Sequence, residues 1–489
     1  MPTSTSILSQ YVNRLFGAPR AASTRHMPGR RPSALGHGFE RLEDRMVLSV
    51  SLGSALSIGN DTGSSSARDV ATDQAGNTYL LGTFSGTVDF DQAAAHAGDT
   101  DILTAQGSGD AFVAKYAPDD SLVWVRRMGG DGADSGAKLA VDSGGNVVVV
   151  GTYSGSADFG STILTTVSSA GFVAKLNPGG TVQWAKEAGS WGVGVDSAGN
   201  AYTLSRVAGD FDIRKFSPSG AAVWSKSIAT QAQFASGDLT VDASGNVFVV
   251  GSFRGTVDFD PGPKTKYVSS GANVGVNEAA FVLKLNTQGK FDWVSPFVGQ
   301  LVDGVKGFAF ANSVAVDNSG NIIVGGTYAN SVDFNPGSGT TTLPTIGGAF
   351  ITKLNSSGSL VWARALESAG STFVWGLTVD TAGAIYATGN FFGAVDFDPG
   401  AGNQTRMTAG SSDVFVMKLT AAGSFSWVES LGGTESDYSH GIAVDTTGVV
   451  HLAGQYRGTV DFDPDPLLAY NMTTPGPFAN AFRVRLRQV

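Results

Sequence analysis

Catalysis or metal binding would have to start from histidine, cysteine or carboxylate groups, and the chain is poor in the first two, with five His and no Cys among 489 residues. Without Cys there is no thiolate nucleophile, no zinc held on sulfur and no disulfide. His26 and His37 lie in an Arg-rich N-terminal stretch, His96 falls in a loop, and His451 occupies a position that Tyr79, Tyr202 and Tyr386 hold in related segments. That leaves His440. With no His cluster, no Gly-x-Ser-x-Gly and no phosphate loop, neither a catalytic triad nor a zinc site can be assembled.

Acids are plentiful, and many recur as Asp-Phe-Asp: Asp89 with Asp91, Asp258 with Asp260, Asp396 with Asp398, and Asp461 with Asp463. Residues two apart on an extended chain point the same way, so each pair could share a Ca²⁺ completed by loop carbonyls and water. The other reading is local: the first Asp ties down its loop and the second caps a Pro-Gly turn such as Pro261-Gly262. No segment spells out the convergent oxygens of an EF-hand, and no other cofactor is implied.

These triplets belong to a larger repeat. An apolar strand, Asp-x-x-Gly, a second apolar strand, Asp-Phe, a strand ending Lys-Leu and a strand carrying Trp recur around the anchors Asp73, Asp142, Asp196, Asp242, Asp317, Asp380 and Asp445. Their spacing varies from 46 residues (Asp196 to Asp242) to 75 (Asp242 to Asp317), which suits blades with variable loops better than a solenoid of fixed rise. The reading is all-β: a seven-bladed β-propeller of four-stranded antiparallel blades, with repeats starting near residues 68, 137, 191, 237, 312, 375 and 440. The third-strand Lys (Lys115, Lys175, Lys284, Lys353, Lys418, with Lys215 and Arg485 as variants) reads as structural because every blade has it. Arg126, Lys186, Lys226 and Arg364, each two residues after a Trp, read as cationic protection of an exposed fourth-strand edge.

Trp124, Trp184, Trp224, Trp293, Trp362 and Trp427 supply only six fourth strands, because the last repeat ends after its third. Residues 48–60 hold the missing one. Leu48, Val50, Leu52, Leu56 and Ile58 alternate with small or polar neighbours, and Ser54 stands where Trp would be. Pairing of this strand with the C-terminal one would close the ring, and an unclosed edge would leave a row of N–H and C=O groups without partners.

Aligning the repeats exposes one uneven position. Five residues before the anchors, where the innermost strand begins near the channel mouth, stand Arg68, Ala137, Trp191, Gly237, Asn312, Trp375 and His440. Flat apolar faces (Trp191, Trp375) beside directional polar groups (Arg68, Asn312, His440) are what a carbohydrate or peptide site uses; the plainer reading is that each Trp plugs the channel.

The repeat resembles the bacterial SBBP β-propeller family, in Gly255-Thr256-Val257-Asp258-Phe259-Asp260-Pro261-Gly262 followed by Phe281-Val282, Lys284-Leu285 and Trp293. The resemblance covers residues 50–489, except that the third repeat lacks the Asp-Phe-Asp-Pro-Gly loop and the second has only Asp158-Phe159-Gly160. It implies an exported or cell-surface bacterial protein and carries no catalytic residues. Residues 1–47 form a separate basic segment, expected to be a disordered export or targeting arm, with 48–489 the propeller. Residues 39–49 resemble the Leu-Glu-Pro-Arg-like segment of large bacterial surface proteins, with Asp44 in place of Pro.

Composition narrows the partners. A net charge of −10 disfavours nucleic acid, and no run of about 18 apolar residues exists to form a transmembrane segment. The first functional reading is a monomeric, non-catalytic binding or structural scaffold, exported or on the cell surface, taking a carbohydrate or protein ligand at the long-loop face. The second is a hydrolase or lyase using acids on that face.

Overall fold

The computed structural model describes residues 50–59, 62–91, 101–207, 210–229, 237–271, 278–344, 347–368, 371–465 and 467–488. The expectations for residues 1–47, for Leu48 and for His26, His37 and His96 lie outside them. The described residues are all β, with no helix, and thus none long and apolar enough to cross a membrane.

The building unit is a four-stranded antiparallel sheet. In the first, Ser64–Thr72 pairs with Thr78–Ser85, which pairs with Asp110–Tyr116, which pairs with Leu122–Gly130. The same order recurs through to Ser371–Val379, Ile385–Phe392, Asp413–Leu419 and Phe425–Gly433. Sheets stack through apolar faces: Tyr79, Leu81 and Val113 of the first pack against Val147, Val149 and Phe172 of the next. Sheet-on-sheet burial of this kind, repeated along the chain, is a β-propeller fold.

Each anchor Asp builds the first hairpin. Asp73 Oδ1 accepts from the N–H groups of Ala75 (3.0 Å) and Asn77 (2.9 Å), while Oδ2 accepts from the Tyr79 hydroxyl (2.9 Å). This is a side chain replacing backbone partners in a tight turn. The repeated Lys completes it: Lys115 lies 3.7 Å from Asp73, Lys175 3.3 Å from Asp142 and Lys353 2.9 Å from Asp317. In the last sheet His451 takes the Tyr position as expected, fully buried, with Nε2 3.1 Å from Asp445 Oδ2 and Nδ1 3.1 Å from the Thr78 hydroxyl.

One expectation is corrected. Arg126 and Arg364 do not shield an edge; Arg126 Nε donates to Gly180 O (3.0 Å) and Arg364 Nε to Gly423 O (3.0 Å), turns of the following sheets. The Trp residues reach the same turns, Trp124 Nε1 to Pro178 O and Trp184 Nε1 to Pro218 O, both at 3.0 Å. Fourth strands therefore stitch neighbours together.

The N-terminal strand Val50–Ile58 pairs antiparallel with Asn480–Gln488, from Val50 opposite Gln488 to Ile58 opposite Ala481. It is the fourth strand of a sheet whose others are Tyr438–Val444, Val450–Tyr456 and Asn480–Gln488.

Candidate functional site

The uneven position found by aligning repeats has a structural cause. In the strand Ser64–Thr72 the register with its partner shifts between Ala67 and Asp69, so Arg68 is an extra residue outside the ladder. The same bulge falls at Ala137, Asn312, Trp375 and His440. A bulge bends its strand and re-aims one side chain, which is how such sites are built beside functional regions. The two short innermost strands have none: Trp191 directly precedes Gly192–Val195, and Gly237 opens Gly237–Val241.

These residues are only partly brought together. Arg68 Nη1 lies 3.3 Å from His440 Nε2, a contact between the first and last sheets. Because a guanidinium only donates, His440 Nε2 accepts and its proton sits on Nδ1. Burial, with the nearby charges of Arg68 and Lys138, holds the His440 ring well below the usual range and therefore neutral. Asn312 donates to Val374 O (3.1 Å), next to Trp375. Trp375 stacks on Phe373 (5.6 Å between ring centres, 6° between planes) and donates Nε1 to Asn390 Oδ1 (2.5 Å). His440 lies parallel to Tyr438 at 6.5 Å, and Trp191 meets Phe211 edge-on at 5.8 Å. Trp191, Trp375 and His440 remain partly exposed.

One residue further along each innermost strand is a layer that sequence reasoning missed. The innermost strands line a cavity of about 280 Å³, with Asp69, Lys138, Asp238 and Ser313 among its lining residues. Asp69 Oδ2 accepts from Leu139 N–H of the next sheet (2.9 Å), and Lys138 Nζ lies 3.9 Å from Asp69 Oδ1. Asp238 accepts from Leu239 N–H (2.9 Å), Val314 N–H (3.3 Å) and the Ser313 hydroxyl (3.3 Å). Burial lifts Asp69 above the usual carboxylate range against the pull of Lys138. Burial also opposes the Lys138 charge, but Asp69 and Asp238 outweigh it and hold the ammonium above its usual range. The signal was present in the alignment, one position after Arg68 and Ala137.

The Asp-Phe-Asp pairs are engaged by their own loops. Asp258 Oδ1 accepts from Asp260 N–H (3.1 Å) and Lys266 N–H (2.7 Å), and Asp260 Oδ1 from Gly262 N–H (2.8 Å). Asp396 and Asp398 repeat this with Gln404 and Gly400; Asp461 binds Asp463 and Tyr470 N–H, and Asp463 binds Asp465 N–H. Asp89 Oδ1 accepts from Asp91 N–H (2.9 Å). This is the loop-tying geometry of the local reading. Among the described residues no group of three His, Asp or Glu side chains is arranged to hold a metal ion.

No family model matches the chain. An uncharacterized WD repeat-containing protein of Acanthamoeba polyphaga mimivirus is 26% identical over 290 residues, 52% of this chain; the match spans only 20% of that protein. Among solved structures, the β-propeller domain of the Trilobed protease from Pyrococcus furiosus superposes with a TM-score of 0.40 at 7% identity, over 87% of this chain and 97% of that one. A Bacteroides caccae protein of unknown function gives 0.34 at 12% identity, over 65% and 89%. At such low scores the fold rests on this chain's own strand pairing.

Proposed function

We propose that the chain is a seven-bladed, closed β-propeller of the SBBP type, preceded by a basic export segment over residues 1–47, and that it is a non-catalytic binding scaffold of the cell surface or exterior. The ring reading is supported by innermost strands that touch in a cycle: Ser64–Thr72, Ser135–Val141, Gly192–Val195, Gly237–Val241, Phe308–Val316, Ser371–Val379, Tyr438–Val444 and back to the first. It is also supported by one apolar cluster that joins Ile58, Ala453 and Ala481 of the last sheet to Leu80 and Phe112 of the first.

The observation that carries the binding reading is the repeated bulge. It sets Arg68, Asn312, Trp375 and His440 outside the ladder register, and Trp191 joins them from a strand end. The ligand class is a carbohydrate or a protein segment offering flat faces and hydrogen-bonding groups. A glycan-array and pull-down comparison of the wild type with a Trp191→Ala/Trp375→Ala variant tests it: loss of binding in the variant is expected, and equal binding by both proteins would reject the site. No observation favours the hydrolase reading, since the Asp-Phe-Asp carboxylates accept N–H groups of their own loops.

A further inference from the structure

We propose that Arg68, held beside His440, forms an anion subsite at the mouth of the central cavity that takes the carboxylate of a ring-bearing small ligand. The inference rests on the mouth being a binding site and adds the charge of what binds there.

Among the described residues no carboxylate forms an ion pair with Arg68. It is half-buried, and burial weakens its hold on the proton. Its hydrogen bond within the described residues runs to a neutral acceptor, His440 Nε2. A guanidinium offers five N–H groups, and a charge withdrawn from water is ordinarily paired. The acids that line the cavity are engaged by other groups: Asp69 by Leu139 N–H and Lys138, and Asp238 by Leu239 N–H, Val314 N–H and Ser313.

Lys138, which also lines the cavity, is engaged by Asp69 at 3.9 Å, so the Arg68 guanidinium is the charge the subsite offers. Its fork matches a carboxylate bidentately. Ring-bearing ligands fit because Tyr438 on His440 presents a flat face on the adjoining inner strand, and Trp375 on Phe373 another on the strand beyond it.

The test uses the full chain with isotope-labelled histidine at neutral pH, following the His440 ring signals by NMR. Benzoate and D-glucuronate are titrated to tens of millimolar, roughly the range of a weak fragment site, with benzamide and D-glucose as neutral counterparts. Both acids should shift His440, the neutral molecules should not, and Arg68→Gln should weaken acid binding by about tenfold or more. Arg68→Lys, which keeps the charge but loses the fork, should weaken it several-fold and covers the case in which Arg68→Gln fails to fold. A silent His440 in both acid titrations, equal effects of neutral and acidic probes, or unchanged binding by the Arg68 variants would overturn the subsite. Neutral sugars binding through Trp191 and Trp375 while carboxylates leave His440 unmoved would sink the subsite and keep the mouth reading. Carboxylate binding with no effect of the Trp variants on any glycan would do the reverse.

Discussion

Ser54 faces Arg485 across the terminal strand pair in the register that the other sheets give to Trp and Lys, as in Trp124 opposite Lys115 and Trp184 opposite Lys175. Where the indole is missing, Arg485 Nη1 reaches Pro118 O (2.5 Å), the turn carbonyl that corresponds to those taken by Trp124 and Trp184. The vacated space holds Asp120. It keeps φ at 74°, whereas the matching turn positions are Gly180 and Gly220, at 77° and 82°. Asp120 binds both Arg485 and the fully buried Arg483, whose guanidinium also lies 5.0 Å from the Tyr116 ring. One lost Trp thus reorganises a whole junction around a carboxylate.

Asp120→Ala should be among the most damaging single changes in the chain. It strands Arg483, two of whose nitrogens already have no hydrogen-bond partner among the described residues. Removing the partner of a buried charge costs about 3 to 5 kcal/mol where both members are buried, and less here because Asp120 is partly exposed. Urea unfolding would read this directly, and a loss below about 1 kcal/mol would remove the junction's claim to importance.

The other junctions forbid what this one requires. A Cβ on Gly220 would lie 2.7 Å from the Trp184 ring, on a backbone at φ 82°. Gly220→Ala should therefore cost about 2 to 4 kcal/mol, combining overpacking with left-handed strain. Trp184→Phe, which only loses the Nε1 bond to Pro218 O and some packing, should cost less. Paired thermal melts check the order; a milder Gly220→Ala would contradict it.

A pH dependence follows from Asp413 and Asp437, both buried where the last two sheets meet. Burial first, then the charges of Asp413 and Glu435, push Asp437 up to about 6, against the pull of Gly433 and Arg457 N–H. Burial raises Asp413 too, and its Oδ1 lacks a partner among the described residues. The native state holds these protons more tightly than the unfolded chain, so the stability this pair contributes is fully present below about pH 4, is lost as pH rises toward about 6 and stays lost above that. Asp413→Asn removes one charge and should raise the melting temperature by a few degrees near pH 8 with little change near pH 4. Equal shifts at both pH values would refute the assignment.

Removing residues through Ile58 should expose the edge of Asn480–Gln488. The strand contributes a full ladder and the buried Val50 and Ile58, worth several kcal/mol at about 0.5–1.5 kcal/mol per bond and 1.5–3 per side chain. The truncated protein should melt lower and associate through the open edge, visible by size-exclusion chromatography. A monomer of unchanged stability would show that the strand is dispensable.

Much of the fold was legible because each repeat states its obligations in residue types. An anchor Asp announces a hairpin since only a short acceptor can reach N–H groups two and four residues on, and Ser54 was identifiable as the missing Trp because the strand around it kept its alternation. The edge cations Arg126 and Arg364 were misread because their carbonyl partners sit in the next sheet, at Gly180 and Gly423, a separation that sequence spacing does not reveal. Asp69, Lys138 and Asp238 escaped notice for a related reason. The inward aim of Asp69 and Lys138 depends on a bulge one residue earlier, and a bulge exists only relative to a partner strand. The contact between Arg68 and His440 was likewise unreadable, being made between the two ends of the chain.

The recurring supernumerary residue of the innermost strands has an evolutionary corollary. Since Arg68, Ala137, Asn312, Trp375 and His440 have no cross-strand counterpart, exchanging one leaves the strand ladder itself unchanged and disturbs only local bonds such as Asn312 to Val374 O and Trp375 to Asn390. Selection can rewrite this collar without altering the ladder, which accounts for a guanidinium, a methyl, an amide, an indole and an imidazole occupying equivalent places in otherwise uniform modules.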